Sequence, residues 1–322
     1  MISVTSPLTF EPIFKERVWG GQRLHSEFGK KLPIGADIGE SWEIVDREDA
    51  QSVVRHGVFR DHTLHELWTR DRESIFGNVA DCPSRAGVSR FPLLIKLLDA
   101  HEKLSLQVHP PERVADSLGG EPKTEFWYVA AAEPGARLFL GLEKPSSRRE
   151  FEEAIRAGKV ADLVHTISVK AGDAILLPAG RFHAVGDGNL LVEVQQNSDT
   201  TYRVFDWKRV DESSGRPRSL HVEPALQSID FNDVTPGLIQ PDGELLVRHR
   251  LFEIQRWDLT ASREVTPPGQ FAIVACLTGA IRCVDVDLAP GEFCLVPASL
   301  GDRQLHPRAD DTSLLRITIP EL

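Results

Sequence analysis

Three short segments carry nitrogen and oxygen donors at spacings that a metal ion could use. Residues 172–183 read GDAILLPAGRFH. Gly172 and Asp173 predict a turn, Ala174 to Leu177 a short strand, and Pro178 with Gly180 a reversal, so that His183 opens the return strand. The strand is apolar at every position, which predicts burial on both faces. An imidazole held on such a scaffold suits a metal ion, although the same letters also fit a turn with a surface histidine. Upstream, LSLQVHPP (104–111) alternates apolar and polar residues, so Ser105, Gln107 and His109 share one strand face. In KTEFWYV (123–129) the same rule puts Lys123 and Glu125 on one face and Phe126 on the other, where exchange for Cys is expected to have little effect. Two imidazoles and a carboxylate (His109, Glu125 and His183) suit a catalytic Zn²⁺ with a position left for water or substrate. Gln107 could add a weaker oxygen, and donors of this kind also admit Mn²⁺, Fe²⁺, Co²⁺ or Ni²⁺.

The elements that must position these residues are mostly strands. Apolar runs of four to eight residues, bounded by Gly, Pro, Asp or Asn, recur at FPLLIKLLDA (91–100), EFWYVAAA (125–132), LLVEVQQ (190–196), FAIVACL (271–277) and GEFCLVPA (291–298). That spacing predicts a mainly β fold of sandwich or barrel type. Two helices interrupt it. HTLHELWTRDRESIFG (62–77) carries a capping box, Thr63 with Glu66. SSRREFEEAIRAGKVADLVHTI (146–167) has Ser146 or Ser147 to cap it, Phe151, Ile155, Val160 and Leu163 on one face, and a break at Gly158. A faint repeat links VKAGDAILLPAGRFH (169–183) to LAPGEFCLVPASLGD (288–302), with Ser299 in place of Gly180 and Asp302 in place of His183. Two similar β units with one site follow, and turn-forming residues near 225–245 mark the boundary. The expected division is a catalytic domain over 1–235, with the metal site, and a C-terminal jelly roll over 236–322 without metal ligands.

Composition narrows the partners. The 322 residues are ordinary for a soluble globular protein, at 41% apolar and 26% charged, with a net charge of −11. No global basic field is available for nucleic acid or an anionic membrane, so an anionic ligand needs a local cationic cluster. Cys82, Cys276, Cys283 and Cys294 show no CxxC spacing, and three of them sit in strand-like runs, which favours buried thiols in a reducing cytoplasm. The first residues lack the pattern of a signal peptide, and no stretch reaches the ~20 apolar residues of a membrane span.

The turn segment resembles the second motif of the cupin superfamily: Gly, five residues, Pro, one residue, Gly, two residues, His. Gly172, Pro178, Gly180 and His183 fill it. The first motif, usually His-x-His with a close Glu, becomes Gln107-x-His109 with Glu125 further away. That departure is similar to the type I mannose-6-phosphate isomerases, in their short bacterial form. ERVWGG (16–21), GESWEI (39–44), PLLIKLLDAHEKLSLQVHPP (92–111), KTEFWYV, the run 178–211 and RSLHVEPALQSIDF (218–231) carry the likeness in order, with Phe126 where Cys is common.

The resemblance implies two cupin-type jelly rolls and one Zn²⁺ per chain on His109, Glu125 and His183, with Gln107 as additional ligand. It implies a catalytic Arg203, points to Lys96, Ser105, Lys123 and Glu193 as active-site residues, and gives reversible isomerisation of D-mannose 6-phosphate and D-fructose 6-phosphate. The residue types fit such chemistry. A proton must leave one carbon and reach its neighbour, and the enediolate between them carries negative charge, which a metal and the Arg203 guanidinium can offset. Glu193 is a candidate base; a metal-bound water or a lysine could serve instead. Lys96 and Ser105 are candidates for holding the substrate's phosphate, and Lys123 for neutralising phosphate or enediolate. Lys208 and Arg209 read as surface charges, and the remaining histidines as structural or exposed. The expected partner is a small sugar phosphate, for a monomer or homodimer. A non-catalytic sugar-binding cupin and an Fe²⁺-dependent cupin dioxygenase are the alternatives, and the SDTTYR segment and intact ligand set weigh against both.

Overall fold

A computed structural model describes residues 4–79, 89–210 and 215–320. Cys82 lies outside the described residues. The chain is mainly β, built from two sandwiches of antiparallel sheets. In the first, a six-stranded sheet runs in spatial order Ile13–Gly21, Ile38–Ile44, Leu93–Ala100, Asn189–Gln196, Glu125–Ala132 and Ala174–Leu177. Facing it, a five-stranded sheet runs Tyr202–Phe205, Leu106–Val108, His183–Val185, Arg137–Leu142 and Val164–Ser168.

The later strands repeat this order. Phe293–Val296 pairs with Ala272–Thr278, which pairs with Ser313–Thr318, as Ala174–Leu177 pairs with Glu125–Ala132 and that strand with Asn189–Gln196. The two turn segments linked by the sequence repeat therefore hold the same place in their sheets. Leu8 bridges to Leu295, so the start of the chain adds to the edge of the later sheet.

Strand alternation divides the six-stranded sheet between two environments. Leu93, Ile95 and Leu97, with Phe126 and Tyr128, face a large apolar core that continues into the later sandwich through Phe252, Phe271 and Val274. Lys96, Glu125, Trp127 and Glu193 face the other way, between the sheets of the first sandwich. Phe126 thus points away from Lys123 and Glu125, as expected. However, it is fully buried, so exchanging it for Cys removes core packing rather than being innocuous.

Both helical predictions need shortening. The segment 62–77 holds two helices, Leu64–Arg70 and Arg72–Phe76, separated at Asp71; the Thr63–Glu66 capping box is present. In the second segment Ser147 caps Arg148–Arg156, and Gly158 ends it with a φ of 66°. Val160–Leu163 is then a 3₁₀ turn, and Val164–Ser168 is an edge strand of the five-stranded sheet. The β-branched run after the glycine pairs with Arg137–Leu142, and this pairing overrides the helical periodicity.

Candidate metal centre and active site

The turn at Pro178–Gly180 is built as its sequence demands. Gly172 (φ 94°) and Gly180 (φ 98°) take left-handed conformations that residues with a Cβ rarely adopt. The turn's own N–H groups tie the other two donor segments to it. Gly180 N donates to His109 O at 2.9 Å, and Ala179 N to Thr124 Oγ1 at 3.2 Å. Three segments distant in sequence are thereby fixed around one point. His183 pairs with Gln107 across neighbouring strands, and Arg203 pairs with Gln107 on the other side.

His109, Glu125 and His183 converge there, their donor atoms all within 4.8 Å of one another and each residue no more than 2% exposed. His109 Nδ1 lies 2.8 Å from Thr200 O, and His183 Nδ1 2.8 Å from Arg181 O. Carbonyls only accept, so each Nδ1 carries the hydrogen and each Nε2 presents a lone pair inward. Arg181 is itself fixed by a two-pronged pair with Asp233 at 2.7 and 2.8 Å. His109 Nε2 stands 3.2 Å from Glu125 Oε1, and His183 Nε2 3.8 Å from Glu125 Oε2. Lone pairs therefore face a carboxylate, and both His109 Nε2 and Glu125 Oε2 are buried without a hydrogen-bond partner. A divalent cation between them removes that mismatch, so the residues fit a metal.

Protonation follows the same logic. Burial, and then neighbouring His109, pushes the His183 imidazole down to about 3. Burial, and then Lys123, lowers His109. Burial alone would raise Glu125, but Lys123 and His109 hold it well below the usual carboxylate range. Neutral imidazoles and an ionised carboxylate are the states that bind a metal.

A cavity of about 450 Å³ opens beside these donors, and every remaining site residue expected from the sequence lines it. Lys123 Nζ sits 2.6 Å from Glu125 Oε1. Gln107 adjoins the donor set through its amide nitrogen, 3.5 Å from His183 Nε2, while its oxygen accepts from Ser105 Oγ at 3.2 Å. Ser105 in turn accepts from Arg203 Nε at 3.2 Å, so Arg203, Ser105 and Gln107 form a chain leading to the donor set. Lys96, only 4% exposed at its side chain, lies between Glu193 Oε1 at 3.3 Å and Glu40 Oε2 at 3.6 Å. Its charge is matched by those two carboxylates, which disfavours it as the counter-charge of a phosphate. Glu193 Oε2 accepts from Trp127 Nε1 at 3.0 Å. Burial, and then the charge of Glu125, raises the Glu193 carboxyl.

Several contributors were missed in the sequence reading: Thr124, Glu40, Arg17, Asp206 and Arg218. Glu40 accepts from Arg17 Nε at 2.8 Å and from Trp42 Nε1 at 2.6 Å. Against the opposition of burial, Lys96 and Arg17 hold its carboxyl at about 2. Alternation within GESWEI puts Glu40 and Trp42 on one face, but that they meet Lys96 depends on long-range strand pairing. Arg209 is half-buried against Asp206 at 2.7 Å rather than a solvated surface charge. Elsewhere, His65 pairs with Asp46 and His165 with Glu143, consistent with structural roles.

Comparison with known proteins agrees with this geometry. Residues 8–134 match the family described as phosphomannose isomerase type I, catalytic domain. Mannose-6-phosphate isomerase of Streptococcus mutans is 38% identical over 308 residues, covering 92% of this chain and 94% of that protein. Mannose-6-phosphate isomerase ManA of Bacillus subtilis is 33% identical over 319 residues, covering 95% and 98%. The crystal structure of the mannose 6-phosphate isomerase from Bacillus subtilis superimposes with a TM-score of 0.85 at 32% identity, over 98% of this chain and all of that one. A mannose 6-phosphate isomerase bound with zinc and yttrium shares the fold at a TM-score of 0.74 and 16% identity, over 98% of this chain and all of that one.

Proposed function

Since the chain belongs to the type I phosphomannose isomerases, we propose that it interconverts D-mannose 6-phosphate and D-fructose 6-phosphate in the cavity beside His109, Glu125 and His183. The observation that carries this is the convergence of two inward Nε2 lone pairs and an ionised carboxylate, two of whose buried atoms lack partners, on a cavity lined by Lys96, Lys123, Glu193 and Arg203. The cavity falls within the range of sites that enclose a small ligand.

His109, Glu125 and His183 hold the metal in this reading, with Gln107 adjacent. Zinc is the assignment, supported by the donor set and by the zinc-bound relative of the same fold. When bound, the ion polarises the substrate's carbonyl and hydroxyl oxygens. The chain's own residues do the rest. Glu193 takes the proton from C2 of the open-chain aldose and returns it to C1, while the hydroxyl proton on O2 passes to O1, giving the ketose; its place on the cavity wall and its raised carboxyl support that role. Arg203 supplies fixed positive charge for the enediolate, held toward the ligands through Ser105. Lys123 keeps Glu125 ionised, and Lys96 orients Glu193 and contacts sugar hydroxyls. Residues 1–235 form the catalytic unit in this proposal and 236–322 a jelly roll without ligands. No helix among the described residues is long and apolar enough to cross a membrane, and Cys276, Cys283 and Cys294 are buried free thiols, which supports a cytoplasmic protein.

Purified zinc-loaded protein should convert mannose 6-phosphate to fructose 6-phosphate and lose that activity with chelator. Arg203→Ala should cut kcat by about a hundredfold or more while metal content stays at the wild-type level. No turnover by folded, metal-loaded protein refutes the isomerase reading, and loss of metal from the Arg203 variant refutes the role given to Arg203.

A further inference from the structure

His109 presents its Nε2 lone pair inward because its Nδ1 meets Thr200 O at 2.8 Å. Thr200 lies in 197–201, between the strands Asn189–Gln196 and Tyr202–Phe205, where no sheet ladder fixes the backbone. Side chains and one neighbouring segment hold it instead. Asn197 Nδ2 donates to Asp46 O at 2.6 Å and to Phe91 O at 2.7 Å. Ser198 Oγ donates to Glu121 O at 3.2 Å and accepts from Thr200 N at 3.2 Å. Thr200 Oγ1 accepts from Glu121 N at 3.0 Å.

These ties meet at Glu121. Besides its two backbone bonds, its carboxylate is shared by two guanidiniums: Oε2 accepts from Arg47 Nη1 at 3.0 Å and Oε1 from Arg90 Nη2. The same two nitrogens also donate to Asn197 O, at 3.1 and 2.7 Å, so the arginines bridge Glu121 to the start of the loop. Charge-assisted bonds of this kind are the stronger ones, and all three side chains are more than three-quarters buried. Next in the chain, Gly120 lets the two segments touch: a Cβ there would stand 2.7 Å from Thr200 Cγ2 and from the Tyr202 hydroxyl. Arg47, Arg90, Gly120 and Glu121 are not among the residues that line the cavity, so whatever they do to the site they do from behind it.

We propose that Glu121 is the positioning residue of the His109 arm: gathered by Arg47 and Arg90, it holds the Thr200 carbonyl on His109 Nδ1 and so keeps Nε2 facing Glu125 and His183. This rests on the metal reading of those three residues. A ligating imidazole whose acceptor carbonyl moves loses both its tautomer and its direction. His183 has a separate support, since its Nδ1 acceptor belongs to Arg181, which Asp233 fixes. Each imidazole is thus aimed by its own arginine–carboxylate device, and loosening one leaves the other in place.

The test uses the full chain with three readouts: the Zn²⁺ Kd by competition with a chromogenic chelator, the visible spectrum of the Co²⁺-loaded protein, and the melting temperature of the metal-free protein. Glu121→Gln and Arg90→Gln should each raise the zinc Kd by about tenfold and alter the Co²⁺ bands. Glu121→Asp, which keeps the charge, should recover part of the loss. The double variant should raise the Kd no further than the larger single change, because both act through one clamp. Gly120→Ala, which displaces Thr200 or Tyr202 without touching a charge, should weaken zinc in the same direction. If Glu121→Gln does not fold, Arg90→Gln and Gly120→Ala decide. An unchanged zinc Kd and Co²⁺ spectrum in folded Arg90→Gln overturns the positioning role, whatever happens to the melting temperature. A wild-type protein that binds no zinc overturns the metal reading and the clamp with it, whereas one that binds zinc with these variant effects but shows no isomerisation leaves the clamp standing and overturns the isomerase reading instead.

Discussion

The two sandwiches share a strand order and differ in what their corresponding turns hold. At Ala179 and Gly180 the turn's N–H groups reach Thr124 and His109, drawing the donor segments together. At the corresponding Ala298 and Ser299 they reach Ile75 O at 2.9 Å and Ser74 O at 3.0 Å, in the helix Arg72–Phe76. His183 is buried with its Nδ1 on a carbonyl, whereas Asp302 is exposed and accepts from the backbone of Gln304. The same unit gathers donor residues in one place and fastens a helix in the other. A jelly roll therefore supplies strands in register; chemistry requires in addition that its turn be pinned to residues with donor atoms.

The sharpest way to break that comparison is to exchange the two corner residues. His183→Ala should lower metal occupancy and turnover, the latter by about a thousandfold. Asp302→His should leave the metal content at one ion per chain by elemental analysis, because among the described residues no second carboxylate and imidazole are pinned to that turn. A second bound ion in Asp302→His would show that the corner residue alone makes a site.

A smaller effect sharpens the electrostatic side. Glu40 titrates at about 2 in the folded chain against a usual 4.5, so its contribution is full above pH 4.5 and disappears as the pH falls toward 2. The shift corresponds to about 3 kcal/mol. Glu40→Gln should lower the urea midpoint at pH 7 and flatten its decline between pH 4.5 and 2. Parallel pH curves for the two proteins would remove Glu40 from the account.

The third change acts through the core alone. Phe126→Cys should cost about 3 kcal/mol in stability while kcat per folded molecule is unchanged. A fall in kcat without a fall in melting temperature would mean that the two faces of the Glu125–Ala132 strand are not independent.

Much of this was legible in sequence because the signals are local. Gly172, Pro178 and Gly180 announce their turn, and strand alternation correctly separates Lys123 and Glu125 from Phe126. The outer wall of the candidate cavity was not legible, because Asp206 meets Arg218, Arg17 meets Glu40 and Glu40 meets Lys96 across 12, 23 and 56 residues, contacts set by the fold rather than by local pattern. The run 146–167 was misread for the same reason: an edge pairing with Arg137–Leu142 decides Val164–Ser168, and nothing within the segment reports it.

The strand Glu125–Ala132 has one further consequence. Its alternate residues belong to two environments: Glu125 and Trp127 to the site, Phe126 and Tyr128 to the apolar core shared with the later sandwich. Loosening of the later sandwich should therefore disturb the outer face of this strand and, through the shared backbone, the carboxylate on its inner face. Loss of activity on heating should accompany melting of the later sandwich rather than follow it.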